Sequence, residues 1–392
     1  MTSNALLEAR ALRQDIEAVS GESERQRRVP ADLIGKLNAA GLLAMNIPHK
    51  FGGAQLPALD SLKVIAELSY ADSAVGWCAM IYSTTAVLGS FLPEHWGQQV
   101  YGPKPGPDGS ERSPVSAGAA APSGKGQAVD GGVVVSGRWA WGSGTHNCDW
   151  ICGGTTVQDG DDIRRFDNGE PMVHVMFFAR DQVELQDNWD PSGLRGTGSV
   201  DFTVDEQFVP EGRWTVLGHS KRQVDDPLYR FPFFGYFAAA VASVPLGIAR
   251  RALDDFDDLS RGKTPAAQTS TINESAIVQL EFGAAEALVQ SAHHHLYGVV
   301  AEIWDKVAQG QRPTTEDRRQ LRLAASQATV MSAAAVDKLY NAAGGSALQG
   351  HCSLQKHFRD IHAATAHRMV GTEVMRMAAA ARITDAPVSY QL

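Results

Sequence analysis

The chain has 392 residues, of which 44% are hydrophobic and 20% charged, and its formal net charge is −9. That length exceeds what one hydrophobic core usually supports, so two or three domains are expected. The negative charge argues against nucleic acid or an anionic membrane as the main partner, because phosphate attracts basic surfaces, and a small molecule is favoured. The four cysteines make no disulfide framework and the N-terminus shows no signal-peptide pattern, so a cytoplasmic location is expected.

The first part of the chain, to about residue 105, has the pattern of helices. Apolar residues recur at helical spacing over 5–21, 30–43 and 54–69. The Pro/Gly/Ser-rich stretch 103–126 that follows predicts a connector without secondary structure of its own.

Short runs of Val, Phe and Thr from 129 to about 214 predict a small β domain. Within it, the segment 128–150 predicts two strands around a Gly-Gly turn, ending in tryptophans, and the flanking glycines let a ligand approach Ser143 closely. The segment is therefore a plausible bed for a flat aromatic cofactor. The alternative is an ordinary hairpin with core tryptophans.

The rest of the chain predicts an antiparallel bundle, because four long amphipathic stretches follow one another with short links. The predicted helices run over 231–260, 272–308, 314–343 and 353–383. The predicted domains are 1–110, all helical; 111–220, the β domain; and 221–392, the bundle. The longest apolar stretch, 231–249, is interrupted by two prolines and a glycine and is not typical of a membrane span.

This order of domains resembles the acyl-CoA dehydrogenase superfamily, and most closely its two-component flavin-dependent monooxygenase branch, which holds secosteroid, p-hydroxyphenylacetate and dibenzothiophene monooxygenases. The segments that carry the resemblance are SGRW at 136–139 with the following Ser-Gly, the strand pair 189–213, the helix 236–256, NAAGG at 341–345 and FRD at 358–360. The resemblance implies an α+β fold with an N-terminal helical domain, a middle β-barrel domain and a C-terminal four-helix bundle.

The catalytic base of the dehydrogenases is missing at the matching positions. Those enzymes need a carboxylate that removes an α-proton, but the matching stretch has Val370, and the position used by the second class falls near Phe237. Valine cannot take a proton. The nearest carboxylate is Glu373, about one helical turn further on, so a dehydrogenase with a displaced base is an alternative.

What remains suits oxygen chemistry, in which a C4a-hydroperoxide of flavin survives only where N5 and the peroxide are hydrogen-bonded and bulk water is excluded. By resemblance, Ser143 stands where the family's Ser/Thr reaches flavin N5, and His367 matches the histidine placed beside the hydroperoxide. His362 lies five residues earlier, about 140° around a helix, so both cannot face the flavin. The alternative for His367 is a surface or capping histidine. The other expected flavin contacts are Trp141, Asn341, Gly344, Gly345, Gly371 and Thr372.

The expected substrate pocket lacks the histidine that phenol hydroxylases of this branch carry in the N-terminal domain, since the matching run is 82–85. Tyr82 or Thr84 is then the candidate partner of a hydroxyl or heteroatom. Phe91, Phe233, Phe234 and Phe237 complete the expected pocket and favour a bulky aromatic or heteroatom-containing molecule, the alternative being plain core packing.

Several other motifs are expected to carry no ligand. The consecutive histidines 293–295 point about 100° apart on a helix and cannot converge on a metal ion. His146, Cys148 and Cys152 lack a second ligand pair, so no metal is expected. GTGS at 196–199 lacks the features of a phosphate loop, and no Rossmann motif follows a strand.

The resemblance and the mismatches together predict the oxygenase component of a two-component monooxygenase. It would use O₂ and reduced flavin, FMNH₂ or FADH₂, supplied by a separate NAD(P)H flavin reductase, and would assemble as a homotetramer. Two alternatives stay open: an FAD-dependent acyl-CoA dehydrogenase-like enzyme with Glu373 as base, and a non-catalytic flavin-binding homologue.

Overall fold

The N-terminal region is helical as far as Tyr101. The computed structural model describes residues 3–106, 109–266, 268–384, 389, 391 and 392. The helices of this region are α1 (Asn4–Ala11), α2 (Arg13–Gln26), α3 (Ala31–Ala39), α4 (Ala58–Ala71), α5 (Ser73–Ala86) and α6 (Glu94–Tyr101). Helix α5 is buried along its whole length, and Asp72 caps it by accepting hydrogen bonds from the N–H groups of Ala74 and Val75. The predicted all-helical region is thus confirmed, with α5 at its centre.

The middle of the chain forms a β domain. Its strands are β1 (Lys104–Pro105), β2 (Glu111–Arg112), β3 (Ser116–Val129), β4 (Gly132–Gly142), β5 (Trp150–Asp159), β6 (Asp162–Ile163), β7 (Val173–Ala179), β8 (Glu184–Leu185), β9 (Val200–Pro210) and β10 (Trp214–Val216). The first two pair with each other, and the rest form one mixed sheet of order β10-β7-β5-β3-β4-β9-β8, with β6 beside β5. Strands β8 and β10 do not pair in the described residues, so this sheet is open where a barrel was expected.

The prediction that 103–126 is a connector without secondary structure is wrong, because β1 and β2 pair in its first half and β3 begins at Ser116. Strand β3 is central: it pairs antiparallel with β4 and parallel with β5. A Cβ at Gly124 would lie 2.3 Å from the Trp139 ring. The glycines therefore let the indole of Trp139 pack against the strand, which composition alone does not separate from a loop.

The C-terminal region consists of α7 (Pro227–Arg230), α8 (Phe233–Gly262), α9 (Ala276–Ala308), α10 (Thr315–Ala343), α11 (Ser353–Thr365) and α12 (Thr372–Ile383). The first three predicted bundle helices are confirmed as α8, α9 and α10. The fourth is wrong, because 366–371 separates α11 from α12. There Met369 and Val370 turn into the core, and Gly371 takes an extended conformation before α12 begins.

The buried carboxylate of Asp360 joins the three regions. It accepts a 2.6 Å hydrogen bond from the backbone N–H of Leu194, forms a 2.6 Å ion pair with Lys356, and accepts from the hydroxyl of Ser73 on α5. The charge of Lys356 lowers the pKa of Asp360 against the effect of burial, which alone would raise it. The FRD segment thus makes contacts within this chain.

In the part of the chain that the structure describes, two helical stretches are long and apolar enough to cross a membrane, Ser73–Phe91 and Phe233–Gly262. In their most apolar windows, 89% and 78% of the residues are buried inside the fold. Both therefore serve as core helices of this protein.

Candidate active site

The loop after strand β4 brings Ser143 against helix α5. Ser143 is buried, and its Oγ accepts a 3.0 Å hydrogen bond from the indole Nε1–H of Trp77. Gly144 has a φ of 73°, and a Cβ there would lie 2.4 Å from the hydroxyl oxygen of Tyr82. Glycine is thus required at the point where the loop meets the helix.

Hydroxyl groups continue from Ser143 into the loop before β9, and their direction can be assigned. Thr197 Oγ1 donates its single proton to the carbonyl of Leu194 at 2.8 Å. Its 2.6 Å bond with Ser199 Oγ must then be donated by Ser199. By the same reasoning, the 2.7 Å bond between Ser199 and Ser143 is donated by Ser143.

This direction leaves the Ser143 oxygen as an acceptor only. Its proton is committed to Ser199, and one lone pair takes the indole proton of Trp77. The remaining lone pair suits an N–H donor. Reduced flavin carries a proton on N5 and oxidised flavin does not, so the residues present fit the reduced form of the cofactor.

His367 lies in the break between α11 and α12, beside Trp77. Its ring stands edge-on to the indole of Trp77 at 5.5 Å and to Phe237 of α8 at 5.6 Å between centroids. The Nδ1 atom accepts a 3.3 Å hydrogen bond from the backbone N–H of Met369. The ring proton is therefore on Nε2, which has no hydrogen-bond partner among the described residues.

The imidazole of His367 is neutral at neutral pH. Burial, together with the positive charges of Arg368 and Arg322, lowers its pKa from 6.5 to about 4. Arg322 is itself buried and makes no ion pair with a described carboxylate; it donates to the carbonyl of Phe234 at 3.1 Å and contacts the sulfur of Met369. Arg322 thus holds both the start of α8 and the loop that carries His367.

The predicted angle between His362 and His367 assumes one continuous helix, which the structure does not contain at that point. Helix α11 ends at Thr365, so the angle of about 140° between the two histidines does not apply. His362 is exposed, and its Nε2 lies 2.8 Å from Asp337. Only His367 contacts Trp77.

The expected flavin contacts other than Ser143 lie on or near the protein surface. The side chain of Trp141 is 73% exposed and is therefore open to a ligand. Asn341, Gly344 and Gly345 are exposed at the C-terminal end of α10, and Gly371 with Thr372 begins α12. Their contacts with flavin stay a prediction.

The alternative base, Glu373, lies outside the Ser143 cluster, which consists of Ser143, Trp77 and His367. Its carboxylate is exposed and forms a 2.5 Å ion pair with Arg376, which lowers its pKa. Val370, at the position of the dehydrogenase base, is buried. Among the described residues, no carboxylate hydrogen-bonds Ser143, Trp77 or His367.

A cavity of about 620 Å³ lies beside the phenylalanines at the start of α8. Phe91, Phe233 and Phe234 line it, as do Tyr229 and Phe231. The ring centroids of Phe233 and Phe234 lie 5.4 Å apart, and those of Phe233 and Phe237 lie 6.2 Å apart. Since Phe237 also contacts His367, aromatic rings connect the cavity to the Ser143 cluster.

The two polar candidates for the substrate pocket do not line this cavity. Tyr82 donates its hydroxyl proton to the carbonyl of Gly144 at 3.0 Å, and Thr84 bonds back to its own helix at the carbonyls of Met80 and Ile81. Both hydroxyls are buried and already paired. Tyr82 positions the Ser143 loop, and a substrate contact for either residue stays a prediction.

Sequence reasoning missed Trp77, Thr197, Ser199 and Arg322. Thr197 and Ser199 belong to the GTGS segment, whose importance is in its hydroxyls and not in phosphate binding. No local pattern marks these residues, because their role depends on which buried groups meet in three dimensions. In the described residues, no group of three or more His, Cys, Asp or Glu side chains could hold a metal ion.

Comparison with protein families gives two matches. Residues 8–97 match the N-terminal domain of acyl-CoA dehydrogenases and residues 239–372 match their C-terminal domain. Indole-3-acetate monooxygenase of Acinetobacter baumannii is 30% identical over 370 residues, covering 94% of this chain and 91% of that protein. The flavin-dependent monooxygenase oxygenase subunit HsaA of Rhodococcus jostii is 26% identical, with coverages of 88% and 89%.

Solved structures share the whole fold. The 3-HSA hydroxylase of Rhodococcus sp. RHA1 superposes with a TM-score of 0.88 at 22% identity and covers all of both chains. XiaF from Streptomyces sp., solved in complex with FADH₂ and glycerol, has a TM-score of 0.85 at 20% identity and covers 98% and 97% of the chains. Helical, sheet and bundle regions thus occur in the expected order.

Proposed function

The chain belongs to the acyl-CoA dehydrogenase family, in its flavin-dependent monooxygenase branch, and we propose that it places one atom of O₂ on an aromatic small molecule. It acts as an oxygenase component and uses reduced flavin, FMNH₂ or FADH₂. The observation that carries the proposal is the cluster of Ser143, Trp77 and His367. In it, Ser143 Oγ can only accept a further hydrogen bond and the neutral His367 can donate one, and no described carboxylate hydrogen-bonds any of the three residues.

The residues of the cluster have separate tasks. When bound, reduced flavin supplies the electrons that activate O₂. Ser143 Oγ would accept a hydrogen bond from the N5–H of reduced flavin, and Trp141 would offer its exposed indole to the ring system. His367 Nε2–H would be the hydrogen-bond donor for negative charge on oxygen at this site, and the rings of Trp77 and Phe237 lie against its imidazole.

The dehydrogenase alternative is disfavoured by the position of its base. An α-proton must be taken by a carboxylate within hydrogen-bond reach of the substrate, whereas Glu373 is exposed and held by Arg376. A non-catalytic homologue has no need of a hydrogen-bond donor and acceptor placed together in this site, and a measurement of turnover would exclude it.

The proposal includes two partners. Relatives named as oxygenase subunits support a separate NAD(P)H flavin reductase for this chain as well. We also propose a cytoplasmic location and a homotetramer. The homotetramer is supported by large apolar side chains of the C-terminal region that are exposed in the single chain: Ile277 by 74%, Leu280 by 69% and Leu348 by 71%.

The test is turnover in isotopically labelled O₂, with a flavin reductase, NADH and indole-3-acetate or indole as the probe substrate. We expect one labelled oxygen atom in the product and the other in water. Electron transfer from a substrate under nitrogen, with no labelled product in labelled O₂, would instead support the dehydrogenase.

A further inference from the structure

The cavity beside the α8 phenylalanines is positively charged although the protein is acidic. Four arginines line it: Arg222, Arg230, Arg312 and Arg318. No aspartate or glutamate of the described residues lines it, whereas the whole chain carries a net charge of −9. Such a concentration of one sign of charge at a concave site attracts an anion.

Three of these arginines have no protein counter-ion in the described part of the chain. Arg230 differs, because it forms a 2.8 Å ion pair with Asp225. The other three are exposed at the rim and form no ion pair with a described carboxylate. A guanidinium group binds a carboxylate through two parallel hydrogen bonds, so an anionic ligand would supply the missing partner.

A buried hydroxyl in the cavity wall gives an independent indication of a ligand. Thr215 is 1% exposed and lines the cavity, and its Oγ1 has no hydrogen-bond partner among the described residues. Buried polar groups are nearly always paired in folded proteins, and an unpaired one costs about 1–3 kcal/mol. Thr215 is thus an unpaired polar residue in the wall of the cavity.

We propose that this cavity binds an aromatic acid, with its carboxylate on Arg312, Arg318 or Arg222 and its ring against Phe233 and Phe234. This inference rests on the proposed function and names its substrate class. The volume of about 620 Å³ suits a molecule of one or two rings. The ring end then lies beside Phe233, whose ring contacts Phe237, and Phe237 in turn contacts His367.

A flavin phosphate is the other anion that could occupy these arginines, and the geometry favours the substrate. Five aromatic side chains line the cavity, whereas a phosphate group needs only polar contacts. The candidate flavin contacts, Trp141 and Ser143, are absent from its lining.

The test measures binding of indole-3-acetate and of neutral indole to protein loaded with reduced flavin, by anaerobic calorimetry. The variants are Arg312→Gln and Arg318→Gln, singly and together. Lys221→Gln is the matched control, because Lys221 is exposed beside Arg222 but does not line the cavity. Reduced FMN and reduced riboflavin, which lacks the phosphate, are titrated against the same variants.

We expect the double variant to bind indole-3-acetate at least tenfold more weakly and indole less than twofold more weakly, with Lys221→Gln unchanged. An equal loss for both probes, no loss for either, or failure of the parent protein to bind indole-3-acetate, 4-hydroxyphenylacetate and benzoate overturns the inference. So does a loss for reduced FMN that reduced riboflavin does not share. None of these results bears on labelled-oxygen transfer to a neutral substrate, which tests the proposed function separately.

Discussion

The indole Nε1–H of Trp77 donates a 3.0 Å hydrogen bond to the Oγ of Ser143, and this bond connects the helical domain to the β domain at the candidate flavin site. Because an indole can only donate, the serine must accept. The hydroxyl of Ser143 donates its proton in a hydrogen bond to Ser199, so Ser143 can only accept a hydrogen bond from its next partner. That relationship makes the redox state of the cofactor the first property to test.

We predict that the parent protein binds reduced flavin more tightly than oxidised flavin and is purified largely without bound flavin. Ser199→Ala frees the Ser143 proton to donate to the unprotonated N5 of oxidised flavin. A hydrogen bond of about 1 kcal/mol makes the ratio of the two dissociation constants fall about fivefold. Anaerobic and aerobic titrations give both constants.

The control for this variant is Ser332→Ala, which removes another buried hydroxyl, bonded to its own helix at Ala328. It should leave the ratio unchanged. If the Ser199→Ala protein had the same ratio as the parent, the hydroxyl of Ser143 would be donating its proton to an acceptor other than Ser199 or flavin N5.

We predict that His367→Ala and Ser143→Ala separate NADH consumption from product formation. Either change leaves a polar atom of the reacting complex unpaired in a dry site, at about 1–3 kcal/mol, so H₂O₂ should escape roughly ten- to a hundredfold faster. The measurement is H₂O₂ release per NADH consumed, with reductase and substrate present. Glu373→Gln is the matched control and should change the coupling little, since Glu373 is exposed.

The stability of the protein should depend on His367 in mildly acidic solution. Its pKa is about 4 in the folded protein and near 6.5 when unfolded, so the unfolded chain binds more protons between these values. Stability is then full above pH 6.5 and falls as the pH drops toward 4. From pH 7 to pH 5, His367→Gln should lose about 1–2 kcal/mol less than the parent.

Urea unfolding of both proteins at the two pH values measures this difference. His174, whose pKa is also lowered to about 4 by burial, is present in both proteins and cancels. Equal acid sensitivity of the two proteins would show that the imidazole is solvated.

We predict that Leu280→Lys on α9 dissociates the homotetramer, because an exposed leucine that packs at a subunit contact would become a buried charge. Light scattering at micromolar concentration gives the mass. Gln290→Lys, an exposed polar position of the same helix, should leave the tetramer intact. A parent protein that is monomeric would contradict the assembly itself.

The sequence was sufficient to predict the helical, sheet and bundle regions, because amphipathic spacing repeats over long stretches such as 276–308. The prediction was wrong at 116–126, because this glycine-rich strand, which makes room for the Trp139 ring, has the same composition as a loop. It failed again at 366–371, because the helical pattern runs on through a break made by burying Met369 and Val370.

The resemblance predicts Ser143 and His367 as site residues, whereas it does not point to the residues that hydrogen-bond Ser143. Trp77 and Ser199 act through hydrogen bonds between groups far apart in the chain. Spacing along the sequence carries no information about the direction of such bonds.

The most direct test of the account is rapid mixing of the protein loaded with reduced flavin against O₂ in the absence of substrate, followed by the absorbance of oxidised flavin. We predict a delay in the reappearance of that absorbance, since Ser143 and His367 stabilise the bound species before H₂O₂ leaves. His367→Ala and Ser143→Ala should shorten the delay by roughly ten- to a hundredfold. Reoxidation of the parent protein as fast as that of free flavin, with both variants indistinguishable from it, would contradict the account.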